Sequence, residues 1–221
     1  MYRFVTIISI LACFVPLFIL LGRKLWKEQI YVLIGLFWLF NGLINIAVLF
    51  NIPTSARLDE YIVVTADYLD VPFVLYIFYL ASEGLRKKIT IVTLFSFIGF
   101  ELVVSLFKGY NYASATIILG ASLVVILLFG IAGIASYIVK IEHTPKEKVM
   151  VFIYSSFLFF YGSFIIVYFF SYIFYSGGDQ DTIFLYYIEL MLGSILSIYG
   201  LAKYASLHQI TNETRRKVEG F

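Results

Sequence analysis

The stretch Tyr61-Ile62-Val63-Val64-Thr65-Ala66-Asp67-Tyr68-Leu69-Asp70-Val71-Pro72-Phe73-Val74-Leu75-Tyr76 decides how this chain folds. Continued to Ala81, it is apolar and long enough for a bilayer crossing, which takes about 20 helical residues. It nevertheless carries two carboxylates, Asp67 and Asp70, at a spacing that puts them on nearby faces of one helix. Ionisable groups are expensive in hydrocarbon and therefore face a bundle interior, a cavity or a partner. A helix with this pattern needs other helices around it.

The flanking sequence supplies them. Apolar spans are read at about 4–22, 30–50, 61–81, 89–107, 112–139, 149–175 and 182–203. Between them stand short polar breaks, among them Asn51-Ile52-Pro53-Thr54-Ser55 and the acidic turn Ser176-Gly177-Gly178-Asp179-Gln180-Asp181. Phe4 to Gly22 reads as a first span and not as a cleaved leader, because it is long for a leader's apolar core and no small-residue cleavage site follows. Composition agrees. The chain is 62% hydrophobic and only 14% charged, against about 25% charged in soluble domains. The predicted fold is all-α, a polytopic seven-transmembrane-helix bundle over 1–205 with a short cytoplasmic tail at 206–221.

Charge placement predicts the orientation. Of 16 Lys and Arg, all but Arg3, Arg57 and Lys108 fall in the first, third and fifth loops or in the last span and tail. With loops this short, the positive-inside rule puts those segments in the cytoplasm, the N-terminus outside and the C-terminus inside. Arg86-Lys87-Lys88 and Arg215-Arg216-Lys217 are read as topology signals that also suit anionic lipid headgroups. They are short and lie beside the membrane, so nucleic acid is not an expected partner. The expected location is a cell membrane, multi-pass, of the bacterial inner-membrane type.

Span three then enters from outside, with Asp67 roughly 9 Å and Asp70 roughly 14 Å deep at about 1.5 Å per residue. On the same scale Glu101 in span four lies roughly 9 Å deep, Glu189 in span seven roughly 10 Å, and Asn45 in span two roughly 8 Å, with Asn41 a turn further in. Four acids and two amides from four spans thus share the outer half of the bilayer. Trp38 shares a helix face with Asn41 and Asn45, and Tyr186 shares one with Glu189, Gly193 and Ser197. Tyr154, Tyr161, Tyr168, Tyr172 and Tyr175 lie roughly along one face of span six. Tyrosines beside carboxylates offer hydroxyls for polar groups and rings for stacking. The candidate ligand contacts are Asp67, Asp70, Glu101, Glu189, Asn41, Asn45, Trp38, Tyr68, Tyr168, Tyr172 and Tyr186. Lys108 is expected to pair with Glu101 from the rim. Pro72 is expected to kink span three just below the acid pair and to free the carbonyl of Tyr68.

The chemistry open to this set is limited. His143 and His208 both fall at or beyond the cytoplasmic boundary, and there is no HExxH, so zinc hydrolysis is not expected. Carboxylates alone suit a hard cation such as Ca²⁺ or Na⁺; the metal, if any, is open. Cys13 is the only cysteine, which excludes an intrachain disulfide. No GxSxG motif or Cys–His pair is present.

Asp67-Tyr68-Leu69-Asp70-Val71-Pro72, followed by an aliphatic helix, resembles the third helix of the microbial rhodopsins. There a carboxylate and an aromatic precede a threonine-rich step and a proline. The spacing from Asp67 to Pro72 is one residue short of that pattern, and Asp70 stands where a threonine is expected. The resemblance implies a rhodopsin-like seven-helix architecture. It does not extend to the cofactor. The family's retinal is held by a lysine in the middle of helix seven, and here that place reads Glu189-Leu190-Met191-Leu192-Gly193, with Lys203 only at the inner end. Covalent retinal is not expected, and no other cofactor is indicated.

Three functions are compatible with these residues. The first is a sensor or receptor-like protein that binds a small molecule or ion in an outward-facing acidic and aromatic pocket, with membrane lipids around it and a cytoplasmic protein partner for output. The second is a small proton- or ion-coupled transporter using Asp67, Asp70 or Glu189. The third is a membrane enzyme acting on a lipid or other apolar substrate by carboxylate acid–base chemistry.

Overall fold

The computed structural model describes residues 2–50, 55–174 and 180–219. Its helices are α1 (Tyr2–Gly22), α2 (Gln29–Leu49), α3 (Ala56–Ala81), α4 (Gly84–Lys108), α5 (Tyr112–Val139), α6 (Pro145–Tyr168) and α7 (Gln180–Glu219). A 3₁₀ turn at Leu25–Lys27 joins α1 to α2, and α6 ends in a π-helical turn, Phe169–Ile173. No strand occurs among the described residues. All seven α-helices contain a stretch long and apolar enough to cross a membrane, from Arg3–Gly22 to Asp181–Tyr204. This is the fold of a multi-pass α-helical membrane protein.

Helical spans suit the chain because every backbone N–H and C=O inside a helix is satisfied without water. The ends are set by polar side chains. Ser55 accepts from the backbone N–H of Leu58 and starts α3. Asn111 and Ser114 form a reciprocal capping box at α5, and Thr144 and Glu147 form another at α6, with Pro145 in the first turn. These caps explain why α3 and α6 begin earlier than their apolar runs: the first turn stands outside the apolar slab. Gly109, at φ 81, ends α4 in a conformation side chains avoid, and Asn111 follows at once to open α5. α7 does not stop at the end of its apolar run but continues as helix to Glu219. The predicted break around Pro53 and most of the acidic turn lie outside the described residues; Gln180 and Asp181 open α7. α3 runs as one helix through Pro72, which lacks an N–H.

The helices form a closed ring. α1 packs on α2, α2 on α3, α3 on α5, α5 on α6, α6 on α7, and α7 returns to α1. α4 touches α3 and α5 and lies across the outer groove between them. The centre is aromatic: Phe157 meets Phe37 and Phe78 edge-on at 5.0 and 5.6 Å between centroids, and Trp38 meets Phe160 at 5.7 Å. Large apolar side chains such as Phe4, Phe18, Phe95, Leu102 and Leu128 point outward. In water this would be a liability; in a bilayer it is the surface lipid requires.

Candidate functional site

One cavity of about 390 Å³ lies in the half of the bundle that carries the N-terminus. Its walls come from α2 (Phe40, Asn41, Ile44, Asn45, Val48), α3 (Val63, Ala66, Asp67, Asp70), α6 (Phe160, Tyr161, Phe164, Val167) and α7 (Thr182, Ile183, Tyr186, Tyr187), with Leu119 of α5 and Ser171 of the π turn. The π turn alters the register after Tyr168, and such turns recur at functional sites.

Its polar groups are held in place by one another. The Tyr161 hydroxyl donates to Asp70 Oδ2 at 2.5 Å, a length typical of a hydroxyl on a carboxylate. Asn45 Nδ2 donates to the backbone oxygen of Asn41 at 2.8 Å and to the Tyr186 hydroxyl at 3.0 Å. Asn41 Nδ2 donates to the carbonyl of Phe37 at 3.0 Å. Asp67 Oδ2 is buried and has no hydrogen-bond partner. Around this set the wall is aromatic and aliphatic, the composition of a small-molecule pocket with a few convergent polar groups.

The structure brings together Asp67, Asp70, Asn41, Asn45 and Tyr186 of the residues expected from the sequence. It places the others elsewhere. Trp38 does not line the cavity; it is fully buried and donates its indole N–H to Ser197 Oγ at 2.8 Å. Ser197 in turn bonds Ser156 at 2.8 Å, and Ser156 donates to the carbonyl of Gly193 at 2.6 Å, making a small polar seam between α2, α6 and α7. Tyr68 turns from the cavity toward α4 and α5, within 2.7 Å of Ser105 Oγ and 3.0 Å of Ser114 Oγ. Glu101 is on α4, outside the ring; it is buried, its Oε1 has no partner, and the expected pair with the exposed Lys108 is not made. Tyr168 leans onto Gly120 of α5 and donates to the carbonyl of Thr116 at 3.0 Å. Glu189 is 1% exposed, with neither carboxylate oxygen partnered. It shares the face of α7 on which Gly193 and Gly200 meet α6, and it does not line the cavity. The side chain of Tyr172 lies outside the described residues.

Tyr161 is the contact that the sequence did not single out. Its signal was there, in the seven-residue spacing of Tyr154, Tyr161 and Tyr168, but that spacing does not say which tyrosine meets an acid. No group of three or more His, Cys, Asp and Glu residues that could hold a metal ion occurs among the described residues.

A second recess, of about 340 Å³, lies at the opposite end among α3, α4, α5 and α6. Its cations are already engaged. Arg86 donates to the carbonyl of Ala132 at 2.5 Å, Lys146 to that of Leu80 at 3.2 Å, and Lys140 is paired with Glu147.

Compared with known protein families, characterised proteins and solved structures, the chain matches none. Function therefore has to be argued from the cavity.

Proposed function

We propose that the chain is a membrane-embedded binding protein, sensor- or receptor-like, whose small-molecule or ionic ligand occupies the cavity between α2, α3, α6 and α7. One observation carries this reading. Six polar residues far apart in the sequence, Asn41, Asn45, Asp67, Asp70, Tyr161 and Tyr186, converge from four helices in one aromatic-walled space of about 390 Å³. Tyr161 pairs with Asp70 and Asn45 with Tyr186, but Asp67 Oδ2 beside them has no hydrogen-bond partner, whereas a side chain used only as glue between helices is paired off, as Trp38 is with Ser197. The Lys and Arg distribution puts the cavity end of the bundle outside, together with the N-terminus, the topology shared by receptors and rhodopsins. The packed layer of Phe37, Trp38, Phe157 and Phe160 beneath the cavity favours a binding site over a through-path. Output then runs through a cytoplasmic protein partner at the basic loops and the helical extension of α7.

A second reading, ion-coupled transport, draws on the unpartnered Glu189 and the seam of Ser156, Ser197 and Trp38, which offers polar groups deeper in the bundle.

Native mass spectrometry of the protein released gently from membranes tests the first reading. The wild type is expected to carry a non-lipid adduct that Asp70→Asn reduces. Uptake of a solute into proteoliposomes, lost in Glu189→Gln and unaffected by Asp70→Asn, would favour transport instead.

A further inference from the structure

We infer that the ligand is a small organic cation, an amine with a compact apolar or aromatic body. This rests on the reading of the cavity as a binding site and adds the chemical class of what it binds.

The first argument is charge. Among the described residues, the only carboxylates on the wall are Asp67 and Asp70, and no Lys, Arg or His lines it. An anion placed there would face two carboxylates with no counter-charge. A neutral molecule would leave Asp67 Oδ2 unpartnered and Asp70 with only the Tyr161 hydroxyl in a low-dielectric surrounding, an arrangement proteins avoid. A cation supplies the missing partner. A basic amine does so even if a carboxyl carries a proton beforehand, because the amine takes it up.

The second argument is the direction of the hydrogen bonds. Both N–H donors of the Asn45 amide and one of the two of Asn41 are spent inside the protein, on Asn41, Tyr186 and Phe37. Tyr161 spends its proton on Asp70. What remains for a ligand is one N–H of Asn41 and the Tyr186 hydroxyl proton as donors, against more acceptors: the second oxygen of Asp70, the carboxylate of Asp67 and the two carboxamide oxygens. Asn45 is only 4% exposed, and its carboxamide oxygen accepts nothing among the described residues. Such a surface selects a donor-rich group, and an ammonium offers up to three donors and no acceptor.

The third argument is size and lining. The volume of about 390 Å³ equals roughly a dozen waters at about 30 Å³ each. A bare Na⁺ or Ca²⁺ would leave most of that space empty and would seek six or more oxygens in a compact shell. Most of the rest of the wall is apolar, with Phe40, Phe160, Phe164, Val63 and Val167 among it and Ser171 and Thr182 adding hydroxyls. It suits an apolar body, and its rings suit a cation as well.

Three probes of one shape separate the possibilities: 2-phenylethylamine, protonated at neutral pH, the neutral 2-phenylethanol, and the anion phenylacetate, backed by a short series of linear and branched alkylamines. Binding to purified protein in nanodiscs is measured by calorimetric titration, with empty nanodiscs as the blank. Ala66→Trp, which fills the cavity from α3, is the occupancy control; Ile183→Trp does the same from α7 should the first variant fail to fold. The expected result is binding of at least one amine ten times or more tighter than its neutral counterpart, with no phenylacetate binding. The preference should disappear in Asp67→Asn/Asp70→Asn while the alcohol still binds. Equal affinity for amine and alcohol, both lost in Ala66→Trp, would overturn the amine assignment and leave the binding cavity standing. Failure of every probe, with wild type and Ala66→Trp alike, would overturn both.

Discussion

Gly193→Ala puts one methyl group into a tight part of the helix packing beneath the cavity. An ideal Cβ at this position would lie 2.8 Å from Trp38 Cη2 and 3.1 Å from Phe160 Cβ, with the carbonyl oxygen of Ser156 at 3.5 Å. Carbon atoms rest at about 3.5–4.0 Å, so the Trp38 ring has to withdraw by at least about 0.7 Å. It has little freedom to do so. It is fully buried, its indole N–H is fixed on Ser197 at 2.8 Å, and Phe37 stands edge-on at 5.2 Å. Phe160 Cβ moves only with the backbone of α6. Overpacking of this kind costs about 1–3 kcal/mol, and loosening the Trp38–Ser197 bond adds about 1 kcal/mol. Against this, exchanging Gly for Ala inside a helix gains up to about 1 kcal/mol. The net expectation is a loss of about 1–3 kcal/mol, a fall in melting temperature on the order of 5 °C for a chain of this size. The assay is a thermal unfolding series in detergent, read by the fraction remaining monodisperse. Gly99→Ala is the control, because nothing lies within 4 Å of its added Cβ; it should be neutral or slightly stabilising. Gly193→Ala matching Gly99→Ala in stability would refute the packing of α7 on Trp38 and α6.

Further consequences follow from other contacts. Tyr161→Phe removes the donor to Asp70 Oδ2 and should destabilise the protein by about 1–3 kcal/mol in the same assay; a melting point at or above that of the wild type would contradict this. Glu189→Met replaces a buried, unpartnered carboxyl by an apolar group of similar length and should raise the melting temperature by a few degrees; a marked drop would mean that Glu189 has a structural partner. For the topology, Tyr110→Cys should react with a membrane-impermeant maleimide on intact cells and Glu142→Cys only after permeabilisation, while Cys13, fully buried, stays silent in both. The reverse pattern would invert the orientation.

The fold was legible because bilayer geometry translates almost directly into sequence: about 20 apolar residues per span, polar or glycine-containing breaks, and basic loops on alternate sides. Ends were less legible where a cap extends the helix past its apolar run, as Ser55 and Thr144 do. The site was legible by half, for a geometric reason. Counting residues from the span ends gives depth, and of the six residues that depth grouped, Asn41, Asn45, Asp67 and Asp70 line one cavity; Tyr186, which also lines it, came from the helix face it shares with Glu189. It does not give rotation about the helix axis. In a soluble bundle the hydrophobic face supplies rotation. Here lipid-facing and core-facing sides are both apolar, so that signal is weak. Tyr68 accordingly lies at the depth of Asp67 and points toward Ser105 and Ser114 instead of the cavity. Glu101 has a suitable depth as well, yet α4 sits outside the ring.

The central claim is that Asp67 and Asp70 belong to an accessible, acidic cavity opening at the outer face. Ala66, beside Asp67 on its wall, is the place to test it. In an Ala66→Cys/Cys13→Ala protein in intact cells, the thiol should react from outside with a trimethylammonium methanethiosulfonate reagent. That reaction should run at least tenfold faster than with the sulfonate reagent of similar size, and the difference should shrink in Asp67→Asn/Asp70→Asn. A thiol at residue 66 that reacts with neither reagent, or with both at the same rate, would contradict the account.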